Sequence, residues 1–209
     1  MNDHEIGRSP EVLGAIHKDT HELGFTMASE PKTGALLAAL AASKPGGRLL
    51  ELGTGTGVGT AWLLAGMDAD SRLVTVDIDA KVVAVAKRHL ASDSRVTFHV
   101  MDAPDFIRQS PQEQFDLIYA DAWPGKFSHL DEALSLLRVG GIYFIDDLLP
   151  HANWPEGHAS KIPVLIDSLE HRPEFATVKL SWASGLMLVV RTGPRKTGVR
   201  SSGVLLVQE

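Results

Sequence analysis

From Arg48 onward the chain alternates between two rhythms. Short apolar or β-branched runs, Arg48–Leu52, Arg72–Asp77, Val96–Val100, Phe115–Asp121 and Ile142–Asp147, are punctuated by acids and glycines and predict buried strands. Between them apolar residues recur at helical spacing: Ala61 to about Gly66, Ala80–Leu90, a segment starting at Met101–Asp105, Ser128–Leu137 and Ala159–Leu169. Two last strands, near Thr177–Trp182 and Leu186–Arg191, predict an antiparallel pair across Ala183-Ser184-Gly185. Before Arg48 the pattern is helical. Residues 10–24 carry Val12, Leu13, Ile16 and Leu23 as a stripe closed by Gly24. Lys32–Ser43 follows, with Ser29 expected as N-cap, Pro31 in the first turn, and Lys44-Pro45-Gly46-Gly47 as the stop. Strand–helix alternation of this kind predicts an α/β, doubly wound, mostly parallel seven-stranded sheet, Rossmann-like, with an antiparallel last strand. The expected organisation is one domain over 1–209, with a helical cap at 1–44 and a tail at 192–209, where apolar residues return only at Val204–Val207.

The stretch Glu51-Leu52-Gly53-Thr54-Gly55-Thr56-Gly57 joins the first strand to its helix. Its glycines permit positive φ and close approach of a ligand to the backbone, and the helix N-terminus behind offers unpaired N–H groups. A P-loop requires Gly-Lys-Ser/Thr, and no lysine lies here. The dinucleotide pattern G-x-G-x-x-G fails at Val58 when started from Gly53 and at Thr60 when started from Gly55. The spacing present is E-x-G-x-G-x-G. An acid at the strand end repels a pyrophosphate and attracts an ammonium or a sulfonium. S-adenosylmethionine (SAM) has both cations and no phosphate, and the turn resembles motif I of the class I SAM-dependent methyltransferases.

Ligands of open parallel sheets bind beyond the carboxyl ends of the strands. Here Glu51, Asp77, Asp121, Asp146 and Asp147 stand at strand ends, and Asp102 follows the third strand. Turn and cap chemistry accounts for a single such acid. A complete set along one rim points to a site. Asp77, some twenty residues past the glycine turn, sits where an acid accepts ribose hydroxyls. Asp102, with the Ala103 N–H, suits an adenine edge or a helix N-cap. Asp121, Asp146 and Asp147 repel one another if close, unless protonated or bound to a cation, and an oxygen-only set suits Mg²⁺, Mn²⁺ or Ca²⁺.

Composition narrows the classes. A formal net charge of −6 argues against a nucleic-acid backbone as main partner. With no cysteine, disulfides, thiolate nucleophiles and cysteine-ligated zinc are excluded. The polar start Met1–Glu5 lacks a following apolar leader, and no run is long enough to span a bilayer, so a cytoplasmic protein without a membrane partner is expected.

The two segments Phe115–Trp123 and Val139–Asp147 are similar to the catechol- and caffeoyl-CoA-type O-methyltransferase family, a similarity extending from about Thr26 to Arg191. The resemblance implies a divalent ion held by Asp121, Asp146 and Asp147. It implies a loop at Thr26-Met27-Ala28 closing over the methionine part of SAM, and cofactor positions at Glu51, Gly53, Thr54, Gly57, Asp77, Ile78, Asp102, Ala103 and Asp121. It also implies a homodimer. Two departures stand out. Asp147 replaces the family's usual Asn, and Pro124 occupies the place of the catalytic lysine, leaving Lys126 as the nearest amine. The expected catalytic set is Asp121, Lys126 and His151, with His129 and His158 as other bases and with Trp123 and Trp154 as walls for an aromatic acceptor. The expected reaction is methyl transfer from SAM to the hydroxyl of a small, phenolic or catechol-like substrate. Its rivals are a non-catalytic SAM-binding protein and an NAD-linked oxidoreductase.

Overall fold

The computed structural model describes residues 6–151 and 154–193. The start Met1–Glu5, and all but the first two residues of the 192–209 tail, lie outside the described residues. In chain order the elements are α1 (Leu13–Leu23), α2 (Pro31–Ala42), β1 (Arg48–Leu52), α3 (Val58–Gly66), β2 (Arg72–Asp77), α4 (Ala80–Leu90) and β3 (Val96–Val100). There follow α5 (Ala103–Gln109), β4 (Phe115–Ala120), α6 (Leu130–Ser135), β5 (Leu137–Ile145), α7 (His158–Glu170), β6 (Phe175–Leu180) and β7 (Leu186–Arg191).

The strands form one seven-stranded sheet in the order β3-β2-β1-β4-β5-β7-β6. β1 to β5 run parallel, and β7 is antiparallel to both β5 and β6. The expected doubly wound, mostly parallel architecture is therefore present. β1 and β4 are neighbours at the centre, and the chain winds outward from them in opposite directions. This is the switch point at which a crevice opens beyond the strand ends.

Because successive side chains of a strand face opposite sides, the apolar runs divide into two cores. On one face Leu50, Leu52, Ile118, Ala120, Tyr143 and Ile145 pack with Ile107, Leu134 and Leu165 from the helices. On the other, Leu49, Leu117, Tyr119 and Phe144 meet Ile16, Leu37, Trp62 and Leu63. Being buried on both faces is why these strands read as continuous apolar runs rather than as alternation.

The differences from expectation are local. β5 starts at Leu137, not Ile142, and α6 is correspondingly Leu130–Ser135. Val139-Gly140-Gly141 reads as a breaker, but the backbone absorbs it in a bulge between the pairs Phe115↔Leu137 and Leu117↔Ile142, with Gly140 at φ 79°. Ser29 is not the N-cap of α2. Glu30 holds that position with no side-chain cap bond, since Pro31 at the first turn supplies the entry and the Ser29 hydroxyl turns elsewhere. Asp102 does hold the N-cap position of α5, without a side-chain cap bond. Among the described residues no helix is long and apolar enough to cross a membrane.

Helix α2 lies hard against α3. A Cβ built on Gly66 meets the Ala38 carbonyl oxygen at 2.0 Å, a backbone atom that cannot swing away. Gly66→Ala is therefore expected to destabilise the protein by about 1–3 kcal/mol. Gly14, in α1, has nothing within 4 Å of an added Cβ, and Gly14→Ala is expected to stabilise by about 0.4–1 kcal/mol. Thermal melts of the two variants against wild type check both signs.

Candidate active site

The turn after β1 is held by backbone on one side and by an acid on the other. Gly53 donates its N–H to Val76 O (2.9 Å), and Asp121 N–H donates to Leu52 O (2.8 Å), so the ends of β1, β2 and β4 are laced together. Gly53 adopts φ 106°, and a Cβ there would lie 2.7 Å from Asp121 O. Only glycine lets the two loops pass this closely. Asp77, at the end of β2, accepts the Gly55 N–H at Oδ2 (2.8 Å) and the Asp79 N–H at Oδ1 (2.9 Å). It fixes the turn and the entry to α4 together.

Glu51 points to the α3 side of the sheet and is fully buried. Oε2 accepts from Thr60 Oγ1 (2.5 Å) and Thr75 Oγ1 (2.6 Å), and Thr75 in turn is bonded to Thr54 Oγ1 (2.6 Å). Oε1 has no partner. Burial pushes the Glu51 carboxyl up to about 8, against which the two threonine hydroxyls act. Glu51 thus sits beneath the glycine turn rather than on its open wall. The orphaned Oε1 lies close to where Gly59 would carry a Cβ, a point also 3.3 Å from Ser29 Oγ.

The second group of acids stands beyond β4 and β5. Asp146, almost wholly buried, accepts from Ser184 Oγ and from the Asp147 N–H (2.7 Å) at Oδ1, and from Tyr119 OH (3.1 Å) at Oδ2. Ser29 Oγ is 3.1 Å from Tyr119 OH and donates to Asp121 Oδ2 at 3.4 Å. Lys126 enters this group from the loop between β4 and α6. The loop is a tight turn in which Lys126 and Phe127 donate their N–H groups to Trp123 O (3.0 and 2.8 Å). Gly125, at φ 89°, fits against Leu52 and Tyr143, whose hydroxyl donates to its carbonyl at 2.8 Å. The turn folds the Lys126 side chain inward, leaving it 2% exposed. Its Nζ is 3.9 Å from Asp121 Oδ1, 3.9 Å from Asp147 Oδ2 and 3.3 Å from the Asp146 carbonyl oxygen. Burial raises the Asp121 carboxyl well above the usual range, Lys126 opposing and the neighbouring carboxylates reinforcing the shift. Burial, then Asp147, raises Asp146 in the same direction.

The metal expected at Asp121, Asp146 and Asp147 does not fit this arrangement. Asp146 Oδ1 is filled by two protein donors, Oδ2 already accepts a third, and an ammonium stands within 3.9 Å of both Asp121 and Asp147. Among the described residues no group of three or more His, Asp or Glu is placed to hold a metal ion.

These features floor a cavity of about 410 Å³, roofed by the strap Phe25–Glu30 between α1 and α2, a size ordinary for a small-molecule site. Of the residues expected from the sequence it brings together Thr26, Met27, Ala28, Gly53, Asp77, Asp121, Lys126, Asp146, Asp147 and His151. Thr54, Gly57, Ile78, Asp102 and Ala103 lie outside its lining, as Glu51 does. Ile78 is 70% exposed. His151 Nε2 is 3.1 Å from Glu30 Oε1 and ties the β5–α7 loop to the strap. His129, at φ 54°, starts α6 instead. His158 stacks on Trp154 (centroids 4.5 Å, 24°) with Phe127 edge-on at 4.8 Å, and Trp123 lies across at 6.4 Å. Its Nε2 is 3.1 Å from the Asp147 carbonyl, while Nδ1 is buried without a partner among the described residues. Ser29, Tyr119 and Ser184 escaped the sequence reading, for nothing local distinguishes a hydroxyl that reaches a distant acid.

Comparison with known proteins agrees with this geometry. Residues 50–148 match a family model described as a methyltransferase domain. A Mycobacterium avium protein with the provisional name O-methyltransferase is 34% identical over 139 residues, which is 64% of this chain and 62% of that protein. A Mycobacterium leprae protein with a similar provisional name is 32% identical over the same span. The chain thus spans less than two thirds of the length of these relatives. Among solved structures, the O-methyltransferase TomG of Streptomyces achromogenes, determined with SAM, superposes with TM-score 0.77 at 24% identity, covering 89% of this chain and 92% of that one. A Bacillus cereus O-methyltransferase determined with S-adenosylhomocysteine gives 0.78 at 21% identity, covering 88% and 92%. At these identities the likeness is one of fold. The glycine turn at a β1/β4 switch point and the seven-stranded order agree with the family match: residues 50–148 are similar to a methyltransferase domain, and the fold is the one these O-methyltransferase structures share.

Proposed function

We propose that the protein transfers a methyl group from SAM to the hydroxyl of a small, phenolic or catechol-like molecule. The observation that carries the reading is the cavity at the β1/β4 switch point, with the E-x-G-x-G-x-G turn on one side and Asp121 with Lys126 on the other. Its donor set suits a cationic nucleoside. Asp77, Asp79, Asp121, Asp147 and Glu30 line it. Asp77 spends lone pairs on the turn and keeps others for ribose hydroxyls.

When bound, SAM supplies an electrophilic methyl group: the O–C bond forms as the C–S bond breaks, its electron pair stays on sulfur, and the hydroxyl proton is lost. The chain then has to position the acceptor and hold its oxygen. Trp123 and Trp154, the latter stacked on the buried His158, line the cavity as aromatic walls for a ring. The Lys126 ammonium is placed to hold a developing oxyanion, since a phenol with a pKa of about 10 is not ionised at neutral pH unaided. Asp147 Oδ2, on a partly exposed side chain, is placed to take the proton to solvent. The proposal includes a homodimer, by resemblance to the family, which light scattering on the purified protein decides.

Isothermal titration is expected to show one SAM per chain, and Asp77→Ala is expected to weaken binding by about tenfold to hundredfold, the loss of charge-assisted hydrogen bonds. No binding at sub-millimolar SAM ends the proposal. Glu51 gives a pH signature. Between its ordinary value of 4.5 and about 8 the folded protein keeps a proton the unfolded chain has lost. Its contribution is present below that window and is lost as pH rises through it, by up to about 1.4 kcal/mol per pH unit. Glu51→Gln has no such proton, so melts of the ligand-free pair are expected to shift in favour of the variant as pH rises from 5 to 8.

A further inference from the structure

We infer that the Lys126 ammonium stands in the place of a divalent cation among Asp121, Asp146 and Asp147, so that this site works without a bound metal. The chemistry of the inference rests on the proposed methyl transfer; its geometry does not.

Position comes first. Nζ is 3.9 Å from one oxygen each of Asp121 and Asp147 and 3.3 Å from the carbonyl of Asp146. A single positive charge is thus central to all three residues. A lysine with 2% of its side chain exposed is held in place by such surroundings, for an isolated buried ammonium is costly.

The donors come second. A hard divalent ion takes carboxylate oxygens at about 2.0–2.6 Å and needs their lone pairs. Asp146 has Oδ1 filled by Ser184 and the Asp147 amide, and Oδ2 already accepts from Tyr119, which leaves one lone pair for an ion. An ion within that reach of Asp121 and Asp147 would also crowd the ammonium already there, like charge against like.

The third point is how the lysine arrives. The Trp123–Ser128 turn is closed by Gly125 N–H to Ser128 O (2.8 Å) and pinned by Tyr143 OH. This hairpin of backbone bonds inserts the side chain as a built element of the site, not as a surface arm that swings in. Among the described residues Nζ has one hydrogen bond, to Asp146 O. The ammonium has three N–H donors, so two remain for an acceptor oxygen. Charge neutralisation and hydroxyl orientation, the two services of a metal, are thereby combined in one side chain.

The test uses Mn²⁺ alone, without nucleotide, with free Mn²⁺ followed by its electron paramagnetic resonance signal. Wild type is expected to leave the signal at the level of the buffer control. Lys126→Gln uncovers the carboxylates and is expected to bind Mn²⁺ at least about tenfold more tightly than wild type. Lys126→Met replaces it should the glutamine variant fail to fold by circular dichroism. One Mn²⁺ per wild-type chain overturns the inference. So does a folded Lys126 variant that binds no more Mn²⁺ than wild type, because the acids would then never have been a cation's place. With SAM and catechol, turnover is expected to survive excess EDTA in wild type, and rescue by Mg²⁺ after EDTA overturns the inference. SAM binding is read separately by calorimetry: its failure removes the methyl-transfer proposal and leaves the Mn²⁺ comparison intact.

Discussion

A carboxylate taken out of water must meet a hydrogen-bond donor or a cation, and the rim of this sheet is arranged around that requirement. Glu51 meets two threonine hydroxyls, Asp146 a serine, a tyrosine and an amide, and Asp121 a lysine and a serine. Each donor comes from a different element: α3, β2, the β6–β7 turn, β4, the β5–α7 loop, the β4–α6 loop and the strap before α2. Satisfying the acids therefore also brings these elements to one place. The polar network is part of what defines the cavity and not only its lining.

The apolar scaffold makes that network affordable in the literal sense of geometry. Leu49, Leu50, Leu52, Leu117 and Ile118 bury the central strands on both faces, which fixes where each strand ends. Gly53 against Asp121 then sets the separation between the loops after β1 and β4. Polar groups held by a rigid frame need little reorganisation when charge develops on a bound substrate, which is the setting in which electrostatic stabilisation is most effective.

The cavity divides by chemistry. On the β1–β2 side it presents backbone, Asp77 and Asp79, and on the β4–β5 side it presents Lys126, Asp147 and an aromatic wall of Trp123, Trp154 and His158. The proposed cationic nucleoside would take the first and the proposed hydroxylated ring the second. Lys126 stands at the boundary, where a transferred group would pass from one to the other.

The sheet and its rim were readable from neighbours along the chain. Strands buried on both faces must be continuous apolar runs, so β1, β2 and β4 were legible nearly to the residue, and the acids and glycines at their ends marked the ligand side. The start of β5 was misread, because Gly140-Gly141 signals a break locally while the neighbouring strand tolerates a bulge. Lys126 was legible as a nearby amine, two residues beyond a proline that cannot act. That it lies inside, between Asp121 and Asp147, was decided by the Trp123–Ser128 turn and by Tyr143, 18 residues from Gly125 in another strand. Glu51 reversed in the opposite sense: an acid in the right motif, it is turned under the sheet by strand alternation and captured by Thr60 and Thr75. Ser29, Tyr119 and Ser184 left no local trace at all. Periodicity and turn chemistry are properties of neighbours in the chain, whereas the partner of a buried charge is chosen by whatever the folded elements bring within about 3 Å.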